Sequence, residues 1–219
     1  MPETAIRLKD AIFTYPQSGF KVICEDLSLN TDETALVTGK NGSGKTTLLK
    51  LCCGILRPES GTLFIFGEDA NKQSLGKIGQ NVGYLFQEPS RQLFAATVWD
   101  EMTFIGGILG EDPEAIKERA ESLLRRFNML DMRERSVYRL SRGEKQRLAI
   151  AAILMRKIRY LILDEPTTGL DGENKKALIE VIESLQNDGI GIAIISHDRG
   201  IINCCGQKRI HVEGGRVVQ

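Results

Sequence analysis

Gly39-Lys40-Asn41-Gly42-Ser43-Gly44-Lys45-Thr46 follows the apolar run Thr34–Thr38 and leads into Thr46–Leu56, whose pattern is helical. A strand that feeds a glycine-rich loop, which in turn opens a helix, surrounds an anion with backbone N–H groups at the positive end of the helix dipole. Glycine is required there because a Cβ would keep the backbone away from phosphate oxygens. Lys45 is placed to neutralise the β- and γ-phosphates of a nucleotide. The Thr46 hydroxyl is placed to ligate Mg²⁺. Gly39, Asn41, Gly42, Ser43, Gly44, Lys45, Thr46 and Thr47 are therefore the candidate phosphate-binding residues. The bland alternative, a glycine-rich turn, does not account for the strand before and the helix after.

Two downstream stretches extend this reading. Tyr160-Leu161-Ile162-Leu163-Asp164-Glu165 is an apolar strand ending in two carboxylates. A charge at the end of a buried strand lies at the carboxyl edge of the sheet, where α/β proteins place ligands. Asp164 is the candidate to hold Mg²⁺ through water. Strand alternation turns Glu165 another way, as a general base or water-positioning group for attack on a γ-phosphate. Leu140-Ser141-Arg142-Gly143-Glu144-Lys145-Gln146-Arg147 opens another helix. Ser141 and Glu144 have capping-box spacing, and a capped helix start carrying a glycine is also an anion site.

The rest of the chain sets limits. Its 219 residues suit one domain, with 42% hydrophobic and 26% charged residues. Lys+Arg (29) equals Asp+Glu (29), so no overall field points to nucleic acid or an anionic membrane. No apolar run approaches the roughly 18 residues that span a bilayer, and the N-terminus has no signal-peptide pattern. Cys24, Cys52, Cys53, Cys204 and Cys205 lack metal-ligand spacing. They read as buried thiols of a reducing, cytoplasmic compartment.

Strand patterns are expected at Ile6–Phe13, Phe20–Leu29, Thr34–Thr38, Thr62–Phe66, Val82–Phe86, Tyr160–Leu163 and Ile190–Ile195. Helices are expected over Thr97–Arg126, with one starting at Asp112-Pro113, and over Ser141–Met155 and Gly172–Asn187. Strand–helix alternation with continuous apolar strands implies a mostly parallel sheet covered on both faces, interrupted by a helical insertion.

With these stretches in place, nearly the whole chain resembles the ATP-binding cassette family, and Leu140–Gln146 looks like its signature motif. The resemblance implies an α/β P-loop NTPase cassette with a mostly parallel core sheet, an N-terminal antiparallel β subdomain and an inserted helical subdomain. The core would comprise residues 1–87 and 158–219, and the helical subdomain 88–157. It implies an ATPase that binds ATP and Mg²⁺ and works as a head-to-tail homo- or heterodimer with a second cassette ATPase. Ser141, Gly143 and Glu144 of one subunit would face the other's nucleotide. Gln87 looks like the family's glutamine at the Mg²⁺ and water site. Asp171, in Gly169-Leu170-Asp171, looks like part of the loop that crosses the interface. His197 looks like the histidine that contacts the γ-phosphate, and Tyr15 like the aromatic that stacks on adenine. The commonest signature has Gly where Arg142 stands and Gln where Glu144 stands. Arg142 would add positive charge near the partner's phosphates, and Glu144 negative charge.

The run Gln87–Val98 is similar to the ATPases of energy-coupling-factor transporters and cobalt and nickel importers. That likeness implies a transmembrane transporter subunit as partner, so that the chain sits peripherally on the inner face of the membrane. Leu93, Phe94 and Arg91 are the candidate exposed anchors for a short helix of that subunit. The other reading is a soluble cassette ATPase acting on a nucleic-acid or ribosomal partner. The charge balance and the lack of coiled-coil insertions make nucleic acid the less expected partner.

Overall fold

The structure, a computed structural model, describes residues 3–204 and 207–218; Cys205 lies outside these, as does the side chain of Cys204. The antiparallel part of the sheet begins with β1 (Thr4–Thr14) and β2 (Lys21–Asn30). Next come β3 (Thr34–Thr38) and α1 (Lys45–Cys52). The short β4 (Ser60–Ile65), β5 (Glu68–Asp69) and α2 (Leu75–Ile78) lead to β6 (Val82–Leu85). Three helices follow: α3 (Val98–Ile108), α4 (Pro113–Arg126) and α5 (Arg142–Leu154). The chain then returns to the sheet through β7 (Tyr160–Asp164), α6 (Gly172–Asn187) and β8 (Gly191–Ile195). Helix α7 (Arg199–Cys204) precedes the hairpin β9 (Lys208–Glu213) and β10 (Arg216–Val218).

Among the described residues ten strands form one sheet in the order β5-β4-β1-β2-β10-β9-β3-β8-β7-β6. Strands β9, β3, β8, β7 and β6 run parallel as a block, while β1, β2, β4 and β5 pair antiparallel. Strand β10 joins the halves, parallel to β2 and antiparallel to β9. The antiparallel part is thus an extension of the same sheet. The closing hairpin, which the sequence reading left unassigned, makes it continuous.

Alternation along the parallel strands sorts their side chains into two cores. Leu161, Leu163, Ile192, Ile194 and Leu36 face the layer built by α3 to α6. Tyr160, Ile162, Ala193, Ile195, Ala35 and Val37 face α1 and the antiparallel strands. Each fully buried Leu or Ile contributes about 1.5–3 kcal/mol. The three cysteines whose side chains are described, Cys24, Cys52 and Cys53, are buried. Burial pushes the Cys24 and Cys53 thiols up to about 12, which makes them inert.

Helix α1 differs from expectation, while the second helix of Thr97–Arg126 starts at Asp112-Pro113 as expected. α1 ends at Cys52, short of Leu56, because Gly54 turns left-handed (φ 69°) and the Leu56 N–H returns to the Lys50 carbonyl (3.1 Å). The helical stretch over Thr97–Arg126 divides at Gly110 (φ 67°), and Asp112 caps the second helix by accepting from the Ala115 N–H (3.1 Å).

The register decides where function can sit. Val37 of β3 pairs with Ile195 of β8, Asp164 of β7 pairs with Ile195, and Leu85 of β6 pairs with Leu163. Four chain segments therefore leave the sheet at one carboxyl edge: Gly39–Gly44, Phe86–Gln87, Glu165 and Ser196–His197.

Candidate active site

The loop after β3 is held open from below. Gly39 has φ 143°, and a Cβ there would lie 2.2 Å from the Val212 carbonyl oxygen of β9. The Gly215 N–H of the closing hairpin donates to the Ser43 carbonyl (2.9 Å). Gly44 (φ 106°) then turns the backbone into α1. The buried Lys45 ammonium donates to the Gly39 (2.9 Å) and Lys40 (3.0 Å) carbonyls, which spans the loop. The Ser43 hydroxyl is buried and has no hydrogen-bond partner. A buried, unpartnered hydroxyl costs about 1–3 kcal/mol, and an anion seated in the loop would relieve it. The cleft above measures 440 Å³ and is lined by Asn41, Gly42, Gly44, Lys45, Thr46, Thr47, Gln87, Glu165 and Phe20.

Phe20 was not singled out by the sequence reading. It comes from the β1–β2 turn and reaches the mouth of this cleft. Tyr15 sits beside the loop, half-buried. Its hydroxyl lies 3.1 Å from Thr47 Oγ1, and its ring packs edge-on against Phe13 (centroids 4.9 Å apart).

Thr46 and Asp164 come together, with Thr46 Oγ1 donating to Asp164 Oδ1 (3.2 Å). The other carboxylate oxygen accepts from the Tyr84 hydroxyl (2.9 Å). Burial raises the Asp164 pKa, and these two donors partly oppose it. Tyr84 went unnoticed in the sequence. Its signal was available: a phenol inside a buried strand usually finds a partner. Among the described residues no group of three acids, histidines or cysteines is placed to hold a metal ion. The hydroxyl of Thr46, the Asp164 carboxylate and the Gln87 amide are hard oxygen donors that suit Mg²⁺, provided water and phosphate complete the shell.

Glu165 adopts a left-handed conformation (φ 47°), which corrects the expectation that strand alternation turns it. The strand ends at Asp164, and a single αL residue re-aims the next side chain. Such a conformation costs about 1–3 kcal/mol in a non-glycine residue and persists where its surroundings enforce it. Here the Glu165 N–H donates to the Ile195 carbonyl (3.0 Å). Its Oε2 accepts from Gln87 Nε2 (3.1 Å) and Thr168 Oγ1 (3.0 Å). His197 is exposed at the end of β8. The hydroxyl of the preceding Ser196 accepts from the Asp198 N–H (3.0 Å), which shapes that loop.

The stretch Ser141–Glu144 does not line this cleft. Ser141 Oγ accepts from the Glu144 N–H (3.3 Å), and Glu144 Oε2 accepts from the Ser141 N–H (2.6 Å), a complete capping box. Glu144 also pairs with Arg135 (3.3 Å), so its charge is used within the helix start. Gly143 is buried, and a Cβ there would lie 2.4 Å from Asn174 Oδ1. Asn174 in turn donates to Asp171, which caps α6. Arg142 also has a contact within its own chain. Its Nη1 lies 3.8 Å from Glu88 Oε2 of its own chain.

A second concavity of 140 Å³ lies between β6, α3 and α5. Leu93 lines it but is buried, so it is not an exposed anchor. The exposed pair is Phe94 (56%) and Phe104 (45%), packed edge to face at 4.7 Å. The buried Glu101, also missed in the sequence, accepts from the Phe94 (3.0 Å) and Ala95 (2.8 Å) N–H groups and holds Phe94 outward.

A sequence profile described as ABC transporter matches residues 25–168. The chain belongs to the ABC transporter family. It is an ATP-binding cassette ATPase of that family. A putative ABC transporter ATP-binding protein of Pyrococcus furiosus is 38% identical over 213 residues, covering 97% of this chain and 81% of that one. The energy-coupling factor transporter ATP-binding protein EcfA1 of Thermotoga maritima is 42% identical over 197 residues, covering 84% and 74%. The solved structure of CbiO1 from Clostridium perfringens, part of the ABC transporter complex CbiONQ, superposes with TM-score 0.88 at 28% identity, covering 99% and 88%. Among the described residues of this ABC ATPase, no helix is long and apolar enough to cross a membrane.

Proposed function

We propose that this ABC ATPase is the motor subunit of a membrane importer of the energy-coupling-factor kind. It hydrolyses Mg-ATP within a head-to-tail dimer. The observation that carries the reading is the pair of contacts at one sheet edge, Thr46 to Asp164 and Gln87 to Glu165. They support reading Thr46 and Asp164 as metal ligands and Glu165 as a carboxylate base beside one phosphate loop.

In this reading the loop N–H groups and Lys45 hold the β- and γ-phosphates, and Ser43 acquires its missing partner. Tyr15 and Phe20 flank the base. Thr46, Gln87 and, through water, Asp164 hold Mg²⁺, which when bound neutralises charge on the phosphates. Glu165 orients water and accepts its proton, with Gln87 and Thr168 fixing the carboxylate. His197 approaches the γ-phosphate. Ser141 and Gly143 of a second cassette subunit close over the nucleotide, and Asp171 lies along the interface. Phe94 and Phe104 receive a short helix of the membrane subunit, so the chain is held peripherally at the membrane.

The test is Glu165→Gln. ATP should drive this variant into a stable dimer on size-exclusion chromatography, with turnover reduced at least 100-fold. Turnover close to that of the unaltered protein would remove Glu165 from the mechanism. Pull-down of the tagged protein from solubilised native membranes should recover a multi-spanning protein. Recovery of ribosomal or DNA-bound proteins instead would replace the importer reading.

A further inference from the structure

Arg142 opens α5, on the helical layer, yet its side chain reaches the two loops that hold Glu165. Its Nη1 lies 3.8 Å from the Glu88 carboxylate, and Glu88 directly follows Gln87. On the other side its guanidinium packs on Gly169. A Cβ at Gly169 would lie 2.9 Å from Arg142 Nε and 3.0 Å from Cζ. Gly169 directly follows Thr168. Gln87 and Thr168 are the two side chains that donate to Glu165 Oε2. Arg142 therefore touches the neighbour of each donor. It also lines, with Gln87, Glu88 and Arg91, a cleft that reaches Thr46 and Asp164.

We propose that Arg142 is a positioning residue for hydrolysis in its own subunit: it braces the Gln87–Glu88 and Thr168–Gly169 loops so that the Glu165 carboxylate is held ready. The inference rests on the reading of Glu165 as base. It assigns Arg142 to the same chain's site rather than to the partner's phosphates. Glycine at this position would leave both loops without that brace. The ion pair is half-exposed, and such pairs add little to stability. Orientation of a base acts on rate far more strongly than on folding.

The experiment compares Arg142→Ala, Arg142→Lys, Glu88→Gln and the double variant Arg142→Ala/Glu88→Gln, with Glu165→Gln as reference. Arg142→Ala should lower kcat about tenfold, equivalent to about 1.4 kcal/mol. KM for ATP should change less than twofold and the melting temperature should not move. Arg142→Lys should recover at least half of the lost rate. The double variant should be no slower than Arg142→Ala, because both changes cut one brace. In the Glu165→Gln background, Arg142→Ala should dimerise at the same ATP concentration. An unchanged kcat in Arg142→Ala overturns the proposal. A more than threefold rise in the ATP needed for dimerisation also overturns it and returns Arg142 to the partner's nucleotide. Full hydrolysis by Glu165→Gln would instead sink the reading of the base, a separate failure.

Discussion

Asp164 is a buried carboxylate whose ionised form depends on two donors, Tyr84 and Thr46. Burial favours its neutral form and has raised its pKa. Removing the Tyr84 hydroxyl raises it further, since a donor to the charged form is lost. Tyr84→Phe should therefore shift the acid limb of the ATPase pH profile to higher pH. It should also cost about 1–3 kcal/mol of stability, the usual cost of a buried acceptor left short of a partner. Urea unfolding and a pH–rate profile read the two effects separately, and an unmoved acid limb would disconnect Tyr84 from the site. Residue identity alone could nominate Lys45, Thr46, Asp164 and Glu165, because their chemistry is local to recognisable stretches. It could not pair Tyr84 with Asp164, which lies 80 residues away.

Helix α5 begins with a capping box whose acid is held below its ordinary pKa. Burial alone pushes the Glu144 carboxyl up, but the Ser141 N–H and hydroxyl contacts, with Arg135 and Arg147, outweigh it. A depressed carboxylate contributes stability above its unfolded value, about 4.3, and that contribution is lost as pH falls through the folded value. Glu144→Gln should cost about 0.5 kcal/mol at pH 7, the scale of a charge at a helix start. The difference from the unaltered protein should close at an acid pH below the depressed folded pKa of Glu144, since both chains then lack the charge. Parallel denaturant titrations at the two pH values check this, and a gap that persists in acid would point to packing instead. Elements with their own start and stop signals were legible. Helix α6 covers the expected Gly172–Asn187, capped by Asp171, and the chain turns away at Gly189 (φ 78°). Strands β5 and β10 were not. Two or three residues carry no periodicity, and their existence depends on the neighbour they pair with.

For the whole molecule, the docking surface is the feature to test. The face proposed to meet a membrane partner is made by Phe94 and Phe104, with Glu101 beneath. Truncating an aromatic anchor at the centre of an interface commonly costs about 2 kcal/mol or more. Phe94→Ala should weaken association with the membrane subunit at least tenfold in a detergent-solubilised binding assay. ATP affinity of the isolated chain serves as the control for folding. Undiminished association would move the docking surface elsewhere.

By itself the amino-acid sequence determined the family, the phosphate loop, the alternation of strands and helices and the two carboxylates at the end of β7. Each of these is written within one short stretch, in glycine placement, period and cap. Only the tertiary structure decided that Leu93 turns inward while Phe94 and Phe104 stay out. It also decided that Glu165 itself turns left-handed, that Gly143 lies against Asn174, and that Arg142 reaches its own chain's loops. Those outcomes depend on strand register and on contacts between segments far apart in the chain, where packing and the satisfaction of buried polar groups override local preference.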